Sequence, residues 1–464
     1  MSGMVTIEQL QSQIKGRVIE PGHAEYDDAR RVFVGGVDRR PALIVRVADA
    51  DDVARTIDLA RETGRELAVR SGGHSGLGHG TTEGGIVIDL REMRSVTIDA
   101  DDRTAWAETG LRARDYSVAA QAHGLATGFG DTGSVGIGGL TLGGGVGYLS
   151  RKYGLTIDDV IAAEVVTADG KLVRTDAETH PDLFWAIRGG GGNFGVATRF
   201  KYRLHEVGTV IGGMLLLPAT ADTIASFVAA ADAAPEELTT IANIMPAPPM
   251  PFVPAEYHGK LAILALMVHV GPTDTGERAV APFRSLARPI VDMLRPMPYP
   301  EVYPPEDPNY HPIAATRNLF VDAIDRRVAA TVIEHLEAST AAMRAVQVRV
   351  LGGAVARVPA DATAYAHRAQ RIMVQVATLC DRPEEVPSRQ AWADALWKAL
   401  PKNEGAAYVN FLAGDGAARI REAYPGRTWE RLTAIKARYD PTNLFRLNQN
   451  IPPSGSPDPE RSTA

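Results

Sequence analysis

Short apolar runs alternate with amphipathic segments along the first part of the chain, as in a mixed α and β protein. The run ALIVRV at 42–47 predicts a strand, and the next segment has apolar residues at helical spacing, an aspartate-rich start and Gly64 as a stop. ELAVR at 66–70 predicts a strand, as do GIVIDL and TAWAET, and LRARDYSVAAQAHG predicts a helix ending at Gly124. DVIAAEVVTADGKLVRT predicts a hairpin that turns at Asp169–Gly170.

The pattern becomes coarser after about residue 205. Helical patterns at 221–233, 324–343 and 387–400 alternate with strand patterns at 260–270, 345–351 and 369–378. This alternation predicts a large sheet with helices packed on one face. Compact, motif-rich sequence returns at about Tyr408, and we expect the tail from Pro452 to be disordered.

The composition excludes several classes of protein. The chain has 464 residues, of which 45% are hydrophobic, and its net charge of -7 argues against nucleic-acid and anionic-membrane partners. Cys380 is the single cysteine, which excludes intramolecular disulfides and cysteine-based metal sites, and we expect it to be buried. The longest apolar run, Leu261–Val268, is too short for a membrane span. The first residues show no apolar signal core, so a cytoplasmic protein is expected.

Glycine is concentrated in three windows. Ser71–Gly85 holds seven glycines, Gly133–Gly147 holds eight and Gly189–Gly195 holds five. Glycine lets the backbone approach a ligand closely and direct successive N–H groups at it. The windows also lack the serine, proline and glutamine bias of flexible linkers. They therefore predict one large anionic ligand with many contacts.

Familiar nucleotide and metal motifs do not explain these windows. The sequence contains no GxxxxGK[ST], which excludes a P-loop nucleotidase. A GxGxxG pattern occurs at 190–195, but a predicted helix precedes it and a predicted strand follows it. That order is the reverse of a Rossmann dinucleotide site, so a nicotinamide site is rejected. His258, His269 and His311 lack the spacing of metal ligands, so no metal is expected.

Three strings carry the candidate chemistry. They are VRSGGHSGLGHG at 69–80, GDTGSVGIGGLTLGGGVGYLSRKYGLTIDDV at 130–160 and YDPTNLFRLNQNI at 439–451. Together they resemble the FAD-linked oxidases of the berberine-bridge-enzyme-like group, which belong to the vanillyl-alcohol-oxidase superfamily. The resemblance implies an α+β fold with a two-part PCMH-type FAD-binding domain, formed by residues 1–205 and 400–464. Residues 206–399 would form a substrate domain with a large antiparallel sheet covered by helices.

The resemblance also implies how FAD is held. In that group the histidine of RSGGHS bonds to the flavin 8α carbon, and His74 stands in this position. Many members add a cysteine bonded to flavin carbon 6, but Thr132 occupies that position, so attachment through His74 alone is expected. The loop 70–76 would cradle the pyrophosphate, and the second string would line the isoalloxazine. The implied cofactor-binding residues are His74, Arg70, Ser71, Gly72, Gly73, Ser75, Gly76, Thr132, Ser134, Val135, Gly138, Gly139, Gly144, Tyr148, Val196, Asn410 and Asn448.

Tyr408 is the candidate catalytic residue. The segment YVNF matches the Y-x-N motif of the group, where the tyrosine is a general base or orients the substrate. Alternatively, Tyr408 and Asn410 alternate along a strand and only satisfy backbone groups. A phenol has a pKa of about 10, so a phenolate at neutral pH needs a nearby cation, or its proton must move together with the hydride. Sugar oxidases of this group can pair such a tyrosine with an aspartate on a neighbouring strand. Here the strand VQVRVLGG offers Gln347 and Arg349 on one face and no carboxylate, so the resemblance disfavours a sugar oxidase. Arg349 is either a cationic neighbour of Tyr408 or a surface charge.

The resemblance implies an oxidase of small organic molecules. Hydride would pass from an alcohol or amine carbon to covalent FAD, and O₂ would reoxidise the flavin to give H₂O₂. Val135 would border the oxygen side of the flavin and leave room for O₂. A dehydrogenase with another acceptor and a drug-binding relative without turnover are the alternatives. Secondary alcohols, nicotine-like amines, polyketide intermediates and sugars all stay open as substrates, and a monomer or homodimer is expected.

Overall fold

The computed structural model describes residues 7–403, 405–414 and 416–456. Its strands are β1 (Arg17–Ile19), β2 (Leu43–Arg46), β3 (Leu67–Arg70), β4 (Ile86–Asp89), β5 (Val96–Asp99), β6 (Thr104–Glu108), β7 (Leu125–Ala126), β8 (Val160–Val166), β9 (Leu172–Asp176), β10 (Val196–Arg203), β11 (His205–Glu206), β12 (Thr209–Pro218), β13 (Leu238–Pro246), β14 (Leu261–His269), β15 (Val291–Asp292), β16 (Arg295–Pro298), β17 (Ile313–Val321), β18 (Arg344–Val350) and β19 (Ile372–Cys380). Its α-helices are α1 (Ile7–Gln13), α2 (Tyr26–Ala29), α3 (Ala50–Thr63), α4 (Ala113–Gln121), α5 (Ile137–Gly143), α6 (Ser150–Tyr153), α7 (Pro181–Ala186), α8 (Ala221–Ala233), α9 (Thr273–Arg284), α10 (Arg326–Ala338), α11 (Ala354–Arg357), α12 (Val386–Ala399), α13 (Gly416–Ala423) and α14 (Arg427–Tyr439). Short 3₁₀ helices cover Thr156–Asp158, Ala255–Tyr257, Tyr299–Val302, Pro383–Glu385 and Val409–Phe411.

Two sheets form the N-terminal part of the fold. The first has the order β1-β2-β4-β3, in which β2, β4 and β3 are parallel. The helix α3 joins β2 to β3, with the Asp49 side chain capping its first turn and Gly64 ending it in the left-handed conformation. Because β3 ends at Arg70, it delivers the first glycine window to the edge of this sheet. The second sheet is antiparallel, with the order β5-β6-β10-β8-β9.

The largest sheet has two chemically different faces. It is antiparallel, with the order β15-β12-β14-β13-β18-β19-β17, and β16 also pairs with β12. Val346, Val348 and Val350 of β18 pack in one apolar cluster with residues of α8, α9, α10 and α12. Since side chains alternate along a strand, Gln347 and Arg349 point to the other face, where they line a cavity. The helices therefore cover one face and leave polar side chains on the other.

The C-terminal segment is fastened to the third glycine window. The Asn193 carboxamide donates to the carbonyl of Gln449 at 3.2 Å and accepts the N–H of Ile451 at 3.0 Å. The buried Lys436 ammonium donates to the Asn193 carbonyl at 2.7 Å and to the Asp440 carboxylate at 2.7 Å. These bonds hold the string 439–451 against the first part of the chain, although it is distant in sequence.

Most of the predicted elements are confirmed, and some of their boundaries are wrong. The helix predicted at 221–233 is α8, and the hairpin predicted around Asp169–Gly170 is formed by β8 and β9. Helix α4 ends at Gln121 rather than near Gly124, and α10 ends at Ala338 because β18 already begins at Arg344. The strand proposed for Tyr408 and Asn410 is wrong. Tyr408 precedes the 3₁₀ turn Val409–Phe411, and the Asn318 side chain accepts the Tyr408 N–H at 2.9 Å in place of a sheet partner.

The structure also bears on the membrane, metal and cysteine expectations from the sequence. No helix in the described part of the chain is long and apolar enough to cross a membrane. The same residues contain no group of three or more His, Cys, Asp or Glu side chains that could hold a metal ion. Cys380 is buried, as expected. Most of the tail expected to be disordered, from residue 457 onward, lies outside the described residues.

Candidate active site

A cavity of about 580 Å³ lies where the N-terminal sheets meet the polar face of the largest sheet. Its volume falls in the range of roughly 300–1,000 Å³ that is typical of ligand sites. All three glycine windows line it, and so do residues 408–413, 445 and 447–449. Thr316, Gln347 and Gln375 contribute from the largest sheet. The three sequence strings therefore converge on one space.

Most of the residues predicted for the site line this cavity. They are Arg70, Ser71, Gly72, Gly73, His74, Ser75, Gly76, Thr132, Val135, Gly138, Gly139, Val196, Tyr408, Asn410 and Asn448. Ser134, Gly144 and Tyr148 are outside the lining, but each contacts a residue within it. The Ser134 hydroxyl lies 3.1 Å from His74 Nε2, and the Tyr148 hydroxyl donates to the Asp131 carbonyl at 3.4 Å. Gly144 has a φ of +136°, and a Cβ there would lie 3.2 Å from the Tyr408 ring.

The loop after β3 presents backbone donors to the cavity. Within the described residues, no acceptor receives the N–H groups of residues 72–76. The side chain of Arg70 is turned away from a ligand role, because its buried guanidinium donates to the Asp89 carboxylate at 2.8 Å. The Ser71 hydroxyl donates to the Thr109 carbonyl at 2.5 Å. These side chains fix the loop, and its N–H groups without a protein acceptor could bind an anion.

Close backbone contacts explain why the windows consist of glycine. A Cβ at Gly72 would lie 2.2 Å from the Gly136 nitrogen, so the first two windows meet with no room for a side chain. A Cβ at Gly143 would lie 1.9 Å from Asn410 Oδ1. A Cβ at Gly139 would meet nothing within 4 Å, so this glycine opens onto the cavity. The windows thus combine tight packing behind the cavity with free space within it.

His74 is held beside the cavity as a neutral imidazole. Its ring stacks on Phe33, with centroids 4.0 Å apart and planes inclined by 14°. Burial lowers the pKa of His74 to about 4, although the nearby Glu306 carboxylate opposes this shift. At neutral pH one ring nitrogen therefore keeps a free lone pair, which a nucleophile requires.

The cavity fits a cofactor that carries both phosphates and a polar ring. Asn448 donates through Nδ2 to the carbonyls of Gly192 and Phe445, both at 3.1 Å. Its Oδ1 is buried and has no hydrogen-bond partner within the described residues. An unsatisfied buried acceptor calls for a ligand donor, and the N–H groups of residues 72–76 are available to bind an anion. FAD has both kinds of group.

The Tyr408 hydroxyl accepts hydrogen bonds from one backbone group and one side chain. Its oxygen accepts the buried N–H of Gly145 at 2.9 Å and Nδ2 of Asn410 at 2.9 Å. Burial raises the pKa of Tyr408, and these two donors and the nearby Arg349 oppose the rise. The environment therefore favours a neutral phenol at rest and stabilises a phenolate once it forms.

Arg349 is buried and lines the cavity, so the alternative that it is a surface charge is wrong. It donates through Nη2 to the Asp131 carboxylate at 2.7 Å and through Nε to Gln347 Oε1 at 2.9 Å. Asp131 was missed, although it directly precedes Thr132 in the second string. Gln375 was missed too, and its alternation with the buried Val374 and Val376 could have assigned it to the polar face.

Comparison with known proteins agrees with this architecture. The family described as "FAD binding domain" matches residues 41–176, and the family described as "Berberine and berberine like" matches residues 407–452. (R)-6-hydroxynicotine oxidase of Paenarthrobacter nicotinovorans is 31% identical over 462 residues, covering 96% of this chain and 98% of that protein.

Solved structures show the same fold. The crystal structure of 6-hydroxy-D-nicotine oxidase from Arthrobacter nicotinovorans superposes with a TM-score of 0.83 at 30% identity, covering 94% of this chain and 98% of that one. BBE-like 1 of Physcomitrella patens has a TM-score of 0.86 at 23% identity, with 97% and 100% of the two chains covered. The predicted α+β fold with its PCMH-type FAD-binding domain is confirmed. This chain belongs to the berberine-bridge-enzyme-like family of FAD-linked oxidoreductases.

Proposed function

We propose that this protein oxidises a small organic molecule with FAD bound covalently through His74 and passes the electrons to O₂, which yields H₂O₂. Bound FAD supplies the acceptor for a hydride from an alcohol or amine carbon. The observation that carries the proposal is the Tyr408 hydroxyl, whose oxygen accepts two hydrogen bonds at the cavity where the glycine windows meet. A proton-handling group is required there, because oxidation of a carbinol or amine also releases an O–H or N–H proton.

The two bonds to Tyr408 support a role in orienting the substrate and handling its proton. Because Gly145 and Asn410 both donate to the phenol oxygen, the Tyr408 O–H must find its own partner elsewhere. A substrate heteroatom in the cavity is such a partner. The same donors stabilise the phenolate that accepts the substrate proton, and Arg349 supplies positive charge nearby. Tyr408 is therefore proposed as the group that orients the substrate and takes its proton.

The charges that line the cavity restrict the substrate. Asp131 is the acidic residue of the lining, and its carboxylate lies 2.7 Å from Arg349 Nη2. Within the described lining, no unpaired carboxylate is left to bind an ammonium group. We therefore propose an uncharged substrate, either an alcohol or an amine in its neutral form. A sugar is disfavoured because β18 presents no carboxylate beside Tyr408.

The assignment of a cofactor domain and a substrate domain is also a proposal. We propose that residues 1–205 and 400–464 hold the cofactor and residues 206–399 hold the substrate. The distribution of lining residues supports it, because the glycine windows line one side and Thr316, Gln347 and Gln375 line the other. A cytoplasmic location and a monomeric or homodimeric state stay predictions.

Anaerobic mixing with candidate alcohols and amines, including (R)-6-hydroxynicotine, tests the proposal. We expect the flavin absorbance at about 450 nm to bleach and, after air is admitted, to recover with formation of H₂O₂. Bleaching that persists in air would identify a dehydrogenase with another acceptor. Tight binding of a ligand without bleaching, across the whole panel, would identify a sequestering protein.

A further inference from the structure

We infer that Ser134 is a positioning residue for cofactor attachment: its hydroxyl oxygen accepts the Nε2–H of His74, which leaves Nδ1 with a free lone pair, and it stabilises the imidazolium that forms when Nδ1 bonds to the flavin. The inference rests on the proposed covalent attachment through His74. It goes further by naming the residue that selects the attacking nitrogen.

The His74 imidazole is fixed on two sides. Phe33 stacks on its face with the ring centroids 4.0 Å apart, and the Ser134 hydroxyl lies 3.1 Å from Nε2 at its edge. Turning the ring over would break the contact with Ser134. Within the described residues, Nδ1 has no hydrogen-bond partner. The two contacts therefore use the face and one nitrogen of the ring and leave the other nitrogen available.

Ser134 is itself held by its backbone. Its N–H donates to Glu306 Oε1 at 3.0 Å. The carbonyls on either side are also engaged, because Gly133 accepts the N–H of Arg114 at 3.0 Å and Val135 accepts the N–H of Ala113 at 2.9 Å. These bonds attach the turn to the first residues of α4. The position of the hydroxyl is thus set by the second glycine window rather than by the side chain alone.

Because His74 is neutral, its tautomer decides which ring nitrogen can attack the flavin. A neutral imidazole carries a proton on one nitrogen and a lone pair on the other. When Nε2–H donates to the Ser134 oxygen, the lone pair is on Nδ1, the nitrogen without a protein partner. Positive charge develops on the ring as Nδ1 forms its bond, and the Glu306 carboxylate, which bonds to the Ser134 N–H, stabilises that charge.

The electrons and protons of the attachment reaction balance when O₂, the oxidant already proposed for this enzyme, reoxidises the flavin. A bond between His74 Nδ1 and the flavin 8α carbon replaces one methyl C–H bond. One proton leaves the methyl carbon and one leaves Nε2 of the imidazolium for solvent, while two electrons enter the flavin ring. O₂ then takes these two electrons and two protons to give H₂O₂, so no further reagent is required.

Attachment can be followed without any substrate. We would express the full chain as the wild type and as Ser134→Ala, Ser134→Thr and Glu306→Gln, and incubate each protein with FAD in air. Acid precipitation at intervals and in-gel flavin fluorescence measure the covalent fraction. NMR of the isolated histidyl flavin identifies the bonded nitrogen. Ser134→Thr is the matched control, because it keeps a hydroxyl at the same position.

We expect attachment at Nδ1 in the wild type. Ser134→Ala should slow attachment by roughly tenfold to 10²-fold, the effect of losing a hydrogen bond to a charged group. Ser134→Thr should stay within about threefold of the wild type because its hydroxyl takes over the role. Glu306→Gln keeps an oxygen for the Ser134 N–H and loses only the charge, so attachment should slow by roughly threefold to tenfold. Because Glu306 is exposed, we expect Glu306→Gln to fold. This variant therefore still tests the inference if Ser134→Ala does not fold.

Each outcome decides between the inference and the proposed function. Attachment through Nε2, or wild-type rates in Ser134→Ala, would overturn the role of Ser134 and leave covalent attachment through His74 intact. If Ser134→Ala is not folded, a wild-type rate in Glu306→Gln would overturn it. A wild-type protein whose FAD is all released by acid, or is linked elsewhere than His74, would overturn the proposed attachment itself.

Discussion

Replacing Tyr408 with phenylalanine separates proton handling from ring packing. The ring lies edge-on to Phe411 and Tyr365, with centroids 5.0 Å and 6.0 Å away, and phenylalanine keeps both contacts. The change removes the acceptor of two hydrogen bonds. Asn410 Nδ2 still donates to the Leu140 carbonyl at 3.1 Å, but the buried Gly145 N–H is left without an acceptor.

The structure leads to an expected loss of stability and an expected loss of flavin-reduction rate for Tyr408→Phe. A buried N–H that loses its partner costs about 1–3 kcal/mol of the free energy of unfolding. A positioned general base contributes about 10²–10⁴-fold, so flavin reduction should slow by that factor. Expressed as an activation barrier, this is about 2.7–5.4 kcal/mol. The variant should therefore fold and load FAD, yet reduce it slowly, while reoxidation by O₂ stays nearly unchanged.

The pH dependence provides a second signature. Burial raises the pKa of Tyr408 above its usual value, so the phenolate is the minor form at neutral pH and grows as pH increases. Since the phenolate accepts the proton, the wild-type reduction rate should rise with pH through the alkaline range. The Tyr408→Phe rate should lack this rise. Stopped-flow measurement of anaerobic flavin bleaching, with a substrate found in the screen, records both profiles.

Tyr365→Phe is the matched control. The Tyr365 hydroxyl is buried and has no hydrogen-bond partner within the described residues, so its removal leaves no group unpaired. We expect wild-type reduction and an unchanged or slightly higher free energy of unfolding. The reasoning fails if Tyr408→Phe reduces its flavin at the wild-type rate across pH, or if both variants slow equally, which would indicate disturbed packing.

Three further changes test other parts of the site. His74→Ala should move most of the yellow colour from an acid-precipitated pellet to the supernatant, and colour that stays in the pellet would assign the bond to another residue. Val135→Ile should slow reoxidation of the reduced enzyme in air because the larger side chain reduces the space that we assign to O₂, and an unchanged rate would contradict that assignment. Lys436→Met leaves the buried Asp440 carboxylate without its ammonium partner, so urea denaturation should show a loss of about 3–5 kcal/mol in the free energy of unfolding. A second change, Asp440→Asn, should recover part of that loss, and a loss below about 1 kcal/mol in the single variant would refute the buried-charge argument.

Local sequence patterns predicted the elements whose signals are local. Helix α8 begins after Thr220, whose side chain accepts the Thr223 N–H, and it coincides with the apolar helical pattern. Strand β17 escaped prediction because Thr316, Arg317 and Asn318 are three polar residues in a row, which breaks the alternation of apolar and polar positions. Thr316 lines the cavity, whereas Arg317 lies on the opposite face and pairs with Asp394 of α12.

The site could be predicted only as a set of strings, because its decisive pairings are distant in sequence. Asp131 and Arg349 are 218 residues apart, and the presence of one in the sequence does not predict that it pairs with the other. The contact between Ser134 and His74 spans 60 residues and depends on the meeting of two glycine windows. The motifs indicated which residues belong together, and only the fold determined which atoms meet.

The bond between Asn193 and Gln449 has a consequence for how the protein is made. The two residues are 256 positions apart, so the ribosome synthesises the first long before the second. At about 5–20 residues per second, this interval is roughly 13–50 s. During that time, the glycine windows are already outside the ribosome, but the C-terminal wall of the cavity does not yet exist. The cavity can therefore enclose FAD only after almost the entire chain has been translated. Until then the cofactor site of the nascent chain is open, and its exposed apolar surface can aggregate.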